Sequence, residues 1–165
     1  MVVTGVPGAG KTTLGSALAV ALGAPFLSLD AIKESLYAGG EGTQDRYGLR
    51  LAAERELVVQ LTSAGATVVV DLWIAPGRDT ERITALLQQQ ARKIVEVLCR
   101  VPADVAVARY ARRRRSGPHL PPDEMTLRRI REASDVLRPM GVGDCIEVDT
   151  SEPVDVDNVL DRLRP

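Results

Sequence analysis

The sequence predicts an α/β fold with a mainly parallel sheet, and three observations carry that expectation. Short β-branched apolar runs alternate with segments of helical periodicity along the whole chain. Several of those runs are apolar at successive positions, as strands covered by helices on both faces are. The 165 residues, 45% hydrophobic and 26% charged, suit one domain spanning 1–165 with a single core. With aromatics at 3%, that core must be aliphatic.

The elements follow in order. Residues 2–4 (VVT) open the sheet, and 11–22 form a helix with Leu14, Leu18 and Leu22 at four-residue spacing. Residues 25–29 (PFLSL) give a second strand, and "DAIKESL" starts a helix at Asp30. Residues 43–64 read as a helix with Tyr47, Leu51, Val58 and Leu61 as its apolar stripe and Gly65 as its stop. A third strand covers 66–71, and Asp79 is placed to cap a helix over 79–91. Residues 93–100 make the fourth strand, and Pro102 suits the first turn of a helix reaching about 115. Asp123 caps a further helix to about 137, ended by Pro139; 145–149 form the last strand and 153–163 the last helix. Crossovers between parallel strands are expected to be right-handed. The breaks at 38–42 (AGGEG) and 116–122 (SGPHLPP) are short enough to be flaps rather than domain boundaries.

Between the first strand and first helix lies "GVPGAGKT", Gly5 to Thr12, which fits the phosphate-loop pattern G-x-x-x-x-G-K-[ST] without a mismatch. Glycines there admit positive φ and let successive backbone N–H groups turn toward one anion. The helix N-terminus adds its partial positive charge. The loop Gly5, Val6, Pro7, Gly8, Ala9, Gly10, with Lys11, Thr12 and Thr13, is therefore the expected nucleotide-binding segment. Lys11 is placed to neutralise the β- and γ-phosphates and Thr12 to ligate Mg²⁺. "TVVVD" ends in Asp71, which fits the strand-end aspartate that holds the metal, alongside the plain reading of a turn residue.

"GVPGAGKTT", then "FLSLDAIKESL", then an Arg-rich helix before a flap, resembles the P-loop small-molecule kinases, a group that includes gluconate and shikimate kinases, chloramphenicol phosphotransferase and the zeta toxins. The resemblance implies a three-layer P-loop fold, a five-stranded parallel sheet in the order 2-3-1-4-5 and a short lid at about 111–122. It also implies ATP and Mg²⁺ as cofactors, an Asp30 that faces the γ-phosphate and acts on the acceptor hydroxyl, and arginines of the lid helix that contact phosphates or stack on the adenine. Asp30 is equally well placed to cap its helix. In "RYARRRR", Arg109, Arg112 and Arg113 share one helical face. Arg109 and Arg113 are the first candidates for charge stabilisation, with Arg114, Arg115 and His119 behind them; the alternative is a solvated basic helix end. The resemblance places the adenine against the backbone of "DTSEP" at 149–153.

The acceptor pocket is expected between the "DAIKESL" helix, residues 38–50 and the loop after Asp71, with Lys33, Arg46, Tyr47, Arg50, Trp73 and Arg78 as its lining. Trp73 either stacks on substrate or packs on the core. The leading expectation is an ATP- and Mg²⁺-dependent kinase acting on a hydroxyl of a small molecule, as a monomer or homodimer. A regulatory ATPase working through a protein partner is the alternative. Net charge of −1 and scarce aromatics argue against a nucleic-acid partner. The apolar stretch 13–29 is broken by Gly15, Gly23 and Pro25 and has no basic leader, so a cytoplasmic protein without a membrane partner is expected. Cys99 and Cys145, with a single histidine in the chain, read as reduced packing thiols rather than as a disulfide or metal site.

Overall fold

Five apolar runs pair into one parallel sheet of order β2-β3-β1-β4-β5 in a computed structural model that describes residues 1–40, 45–65, 67–75, 77–113 and 117–163. The strands are β1 (Val2–Thr4), β2 (Phe26–Ser28), β3 (Val69–Asp71), β4 (Val95–Arg100) and β5 (Asp144–Asp149). The helices are α1 (Lys11–Leu22), α2 (Leu29–Ala38), α3 (Arg46–Ser63), α4 (Thr80–Gln90), α5 (Ala103–Arg112), α6 (Glu124–Asp135) and α7 (Val156–Asp161). The strand order is the one the family resemblance implies.

Strand side chains alternate between two aliphatic cores. Val3, Val69 and Val97 face the layer holding Leu14 and Leu18 of α1, Val107 of α5, Ile130 of α6 and Val159 of α7. Val2 and Val70 face the opposite layer, with Ile32 of α2, Leu57 of α3 and Ile83 of α4. This is the period-2 pleat buried on both faces, which is why the strands read as continuous apolar runs. Leu18 and Leu57 are completely buried, and truncating either to alanine costs about 2–5 kcal/mol.

Helix α3 departs from expectation by one position. Its buried residues are Leu49, Arg50, Ala53, Glu54 and Leu57, whereas Tyr47 is exposed and Leu51, Val58 and Leu61 are only half-buried. The helix turns a charged pair inward because Arg50 and Glu54 bond each other (Nε to Oε1, 2.6 Å) and find partners on neighbouring segments. A stripe built from apolar letters alone could not anticipate that.

The caps differ in detail as well. Ser28, not Asp30, caps α2, its Oγ accepting from the Ala31 amide at 3.4 Å. Asp123 caps α6 as expected, accepting from the Thr126 amide at 2.8 Å. Asp79 precedes α4 but makes no capping bond, because its carboxylate is engaged by arginines. Helix α3 ends at Ala64 ahead of Gly65, and α5 ends at Arg112, with Pro102 in the position before its first turn. Arg114, Arg115 and part of the 38–42 break lie outside the described residues. Among the described residues no helix is long and apolar enough to cross a membrane. Both cysteines are free thiols.

Candidate active site

The loop between β1 and α1 wraps tightly at the carboxyl end of the central strand, where the chain crosses from one side of the sheet to the other. Gly8 has φ 89°, and a Cβ there would lie inside the Ala106 carbonyl at the start of α5. A Cβ on Gly5, at φ 140°, would approach the Cys99 carbonyl oxygen to 2.8 Å. Only glycine lets the loop sit this close to its neighbours, so the cradle is held from outside as well as by its own turns. Inside it, the Ala9 amide donates to the Val6 carbonyl (3.1 Å) and Lys11 Nζ donates to the same oxygen (3.1 Å). Gly10 caps α1 in the left-handed conformation. Thr13, in the first turn of that helix, is exposed. Burial pushes the Cys99 thiol behind this loop up to about 12, so it is an inert packing group.

Parallel register brings Asp71 to the same end of the sheet, with Ser28 directly beside it. Asp71 is 4% exposed and accepts from the Thr12 hydroxyl at 2.6 Å. A weaker bond from Ser28 Oγ, at 3.4 Å, reaches the same oxygen. A hydroxyl and a carboxylate at one helix N-terminus form a hard-oxygen donor pair of the kind Mg²⁺ takes with phosphate oxygens and water. The donor set therefore fits the metal, and the glycine-lined cradle fits a phosphate.

The arginines of α5 divide. Arg109 Nη1 donates to Thr150 O (2.8 Å) and Nη2 to Ser151 O (2.7 Å), fastening α5 to the loop after β5. Thr150 Oγ1 in turn donates to Ala9 O at 2.7 Å, so Arg109, that loop and the cradle form one connected unit. Arg113 is exposed at the end of α5, and its side chain makes no bond to another described residue. Neither arginine lines the large cleft beside Lys11.

That cleft measures about 570 Å³. Lys11 and Asp30 both open onto it, as do Lys33, Arg46, Tyr47, Arg50, Trp73 and Arg78. These come from the loop, α2, α3 and the segment after β3, brought together by the sheet order. Asp30 stands in the first turn of α2, its Oδ1 3.7 Å from Lys33 Nζ. Trp73 packs against the α1-side core, and it also lines the cleft. The opposite wall comes from α5, residues 118–120 and α6, with Tyr110 donating to Leu120 O at 2.9 Å and His119 Nε2 lying 2.6 Å from Glu34 Oε1.

Beneath the wall nearest Trp73 lies a network of buried charge. Arg50 Nη2 donates to Trp73 O (3.0 Å) and sits 3.7 Å from Asp79 Oδ2. Arg78 donates to Asp79 through both Nε (2.9 Å) and Nη2 (2.6 Å). Arg82 joins Asp79 Oδ1 at 3.2 Å and also pairs with Glu54. Burial alone would push the Asp79 carboxyl up. The Arg78 hydrogen bond and the charges of Arg50 and Arg78 outweigh burial and hold it below its ordinary value.

Arg129, Thr126 and Ile130 of α6 and Tyr110 of α5 also line the cleft, and sequence reasoning missed them. Their signal was present only as the amphipathic pattern of α6; nothing in the sequence says which neighbour that face meets. Asp79 was legible as a polar residue before a helix, but not as a partner for three arginines.

A family model described as AAA domain matches residues 1–140. None of the curated proteins matches the chain in sequence. The crystal structure of a Chloroflexus aurantiacus protein provisionally classed as a kinase is similar with a TM-score of 0.79 at 25% identity, over 98% of this chain and 95% of that one. Shikimate kinase from Acinetobacter baumannii, in complex with shikimate, is similar with a TM-score of 0.63 at 19% identity, over 98% and 89%. A gluconokinase from Sinorhizobium meliloti gives 0.60 at 23% identity, over 97% and 86%. At these lower identities the last two carry the fold alone.

Proposed function

The chain belongs to the AAA-domain family with the fold of the P-loop small-molecule kinases, and from that premise we propose that it is an ATP- and Mg²⁺-dependent phosphotransferase acting on a hydroxyl of a small molecule. The observation that carries the reading is that the cradle lysine, Lys11, and a carboxylate in the first turn of α2, Asp30, open onto one cleft with room for a small acceptor. Mg²⁺·ATP, when bound, supplies the transferable phosphoryl group and neutralises its charge. Thr12 and Asp71 would hold the metal, and the amides of 5–12 together with Lys11 would hold the phosphates. Asp30 accepts the proton of the acceptor hydroxyl and orients that oxygen, with Lys33 Nζ 3.7 Å from its Oδ1. Arg109, anchored on Thr150 and Ser151, would contact the nucleotide from α5. Tyr110, Leu120 and Trp73 supply the apolar part of the lining around the acceptor.

The lining carries six cationic side chains (Lys11, Lys33, Arg46, Arg50, Arg78 and Arg129) against two carboxylates (Asp30 and Asp79). That excess suits an acceptor bearing an anionic group as well as its hydroxyl. The test is ADP release from Mg·ATP against a panel of hydroxylated metabolites, nucleotide sugars and antibiotics, with Lys11→Ala and Asp30→Asn as controls. A hit that disappears in both variants supports the reading. ATP binding with no acceptor-stimulated turnover, or turnover indifferent to Asp30→Asn, overturns it.

A further inference from the structure

Asp79 is 1% exposed, caps no helix and takes no part in the phosphate chemistry described above. Its carboxylate is nonetheless the convergence point of three guanidinium groups and the Ala75 amide (3.4 Å). Arg78 grips both oxygens, a forked geometry that fixes the plane of its guanidinium, although 62% of its side chain is open to the cleft mouth. Arg50 is held on three sides, by Glu54 at Nε and by Trp73 O and Asp79 at Nη2, which leaves Nη1 outside these bonds on a residue that lines the cleft. Three arginines (Arg50, Arg78, Arg82) face two carboxylates (Glu54, Asp79), so the network retains one uncompensated positive charge. Arg50, Arg78 and Asp79 line the cleft, whereas Arg82 does not.

We propose that Asp79 is a positioning residue of the acceptor cleft, presenting the guanidinium groups of Arg50 and Arg78 in a preset arrangement to an anionic group of the acceptor. Without it, two long side chains with many rotamers would have to be ordered by the ligand itself, at a cost in affinity. With it, that ordering is complete before binding. The inference rests on the kinase reading for the identity of the cleft, but not for its charge chemistry.

The experiment uses the chain's one tryptophan, Trp73, whose carbonyl bonds Arg50 and whose ring lines the cleft. Its emission is followed in the presence of Mg·ADP, at constant ionic strength, while D-gluconate or malonate is titrated against neutral D-sorbitol. The wild-type protein should saturate with the two anions and not with sorbitol. Asp79→Asn should raise the apparent Kd for gluconate roughly tenfold and leave Mg·ADP affinity unchanged. Arg78→Lys keeps the charge but loses the fork onto Asp79, and should weaken gluconate in the same direction. Because Arg78 is mostly exposed, this variant decides the matter even where Asp79→Asn fails to fold. A flat wild-type titration, or an Arg78→Lys curve superimposed on the wild type, overturns the proposal. Anion binding that depends on Asp79 in a protein without acceptor-stimulated ADP release would remove the phosphotransfer reading and leave this inference standing.

Discussion

The glycine-rich loop and the cleft beside it, the phosphate cradle and the acceptor cleft of the proposed reaction, are built on opposite principles. The cradle is a single run of eight residues, Gly5 to Thr12, whose recognition groups are mainly backbone amides. The cleft draws its wall from α2, α3, α5, α6 and the loops after β3 and α5, and its recognition groups are side chains. A backbone cradle needs glycine where neighbours crowd it and tolerates little else. A side-chain cleft needs buried counter-charges to hold its long cations still, and here Asp79 and Glu54 supply them. The difference teaches where each half is vulnerable: the cradle to an added methyl group, the cleft to a lost charge.

The largest effect should follow Gly8→Ala. The new Cβ would meet the Ala106 carbonyl at a φ that side chains rarely adopt, so α5 or the loop must move. Calorimetric titration should show Mg·ATP binding lost, and retained affinity would break the claim that this loop is held rigid from outside. Next, Asp30→Asn should lower kcat by about 10²–10⁴-fold while nucleotide affinity holds, because a proton acceptor is removed without altering the cradle. A comparable fall in nucleotide affinity would place Asp30 on the cradle side of the comparison instead.

Glu54→Gln should destabilise the fold by about 3 kcal/mol in urea unfolding, since it leaves buried Arg50 and half-buried Arg82 with one counter-charge fewer. A negligible change would mean the network contributes nothing beneath the cleft. A smaller loss, about 1–3 kcal/mol, is expected from Thr150→Val, which removes the one hydroxyl proton shared between the carbonyls of Ala9 and Arg100. It should also weaken nucleotide binding more than acceptor binding, and the reverse order would blur the boundary between the two halves.

The smallest effect is in pH dependence. Asp79 titrates in the native state below its ordinary value of 3.8, so its contribution to stability is complete above 3.8 and is lost as pH falls through the lower native value. Unfolding measured across the acid range should lose stability less steeply in Asp79→Asn than in the wild type below that point. Parallel acid limbs would show that Asp79 is not held ionised by its arginines.

Most of the fold was legible because its signals are local. The alternation of β-branched runs with helices, the loop Gly5–Thr12 and the Asp123 cap all act within a few residues of themselves. Helix α3 was legible as a helix but not in rotation, since Arg50 and Glu54 read as surface letters until their partners are known. Asp79 shows the same limit: its position before α4 suggested a cap, yet arginines from two helices and its own neighbour claim the carboxylate. Candidate residues of the cleft could be named in advance on the α2–α3 side. Arg129 and Tyr110, on the other wall, could not.

By itself the sequence determined the phosphate-loop pattern and the elements that carry it, because the glycines, the lysine and the threonine stand within eight consecutive residues. Only the tertiary structure decided which charges are buried and which face a ligand. The sheet order sets Asp71 beside Ser28 and places the segment after β3 against α3. A charged side chain's energy depends on the partners and solvent around it, and those are supplied by segments far away in the chain.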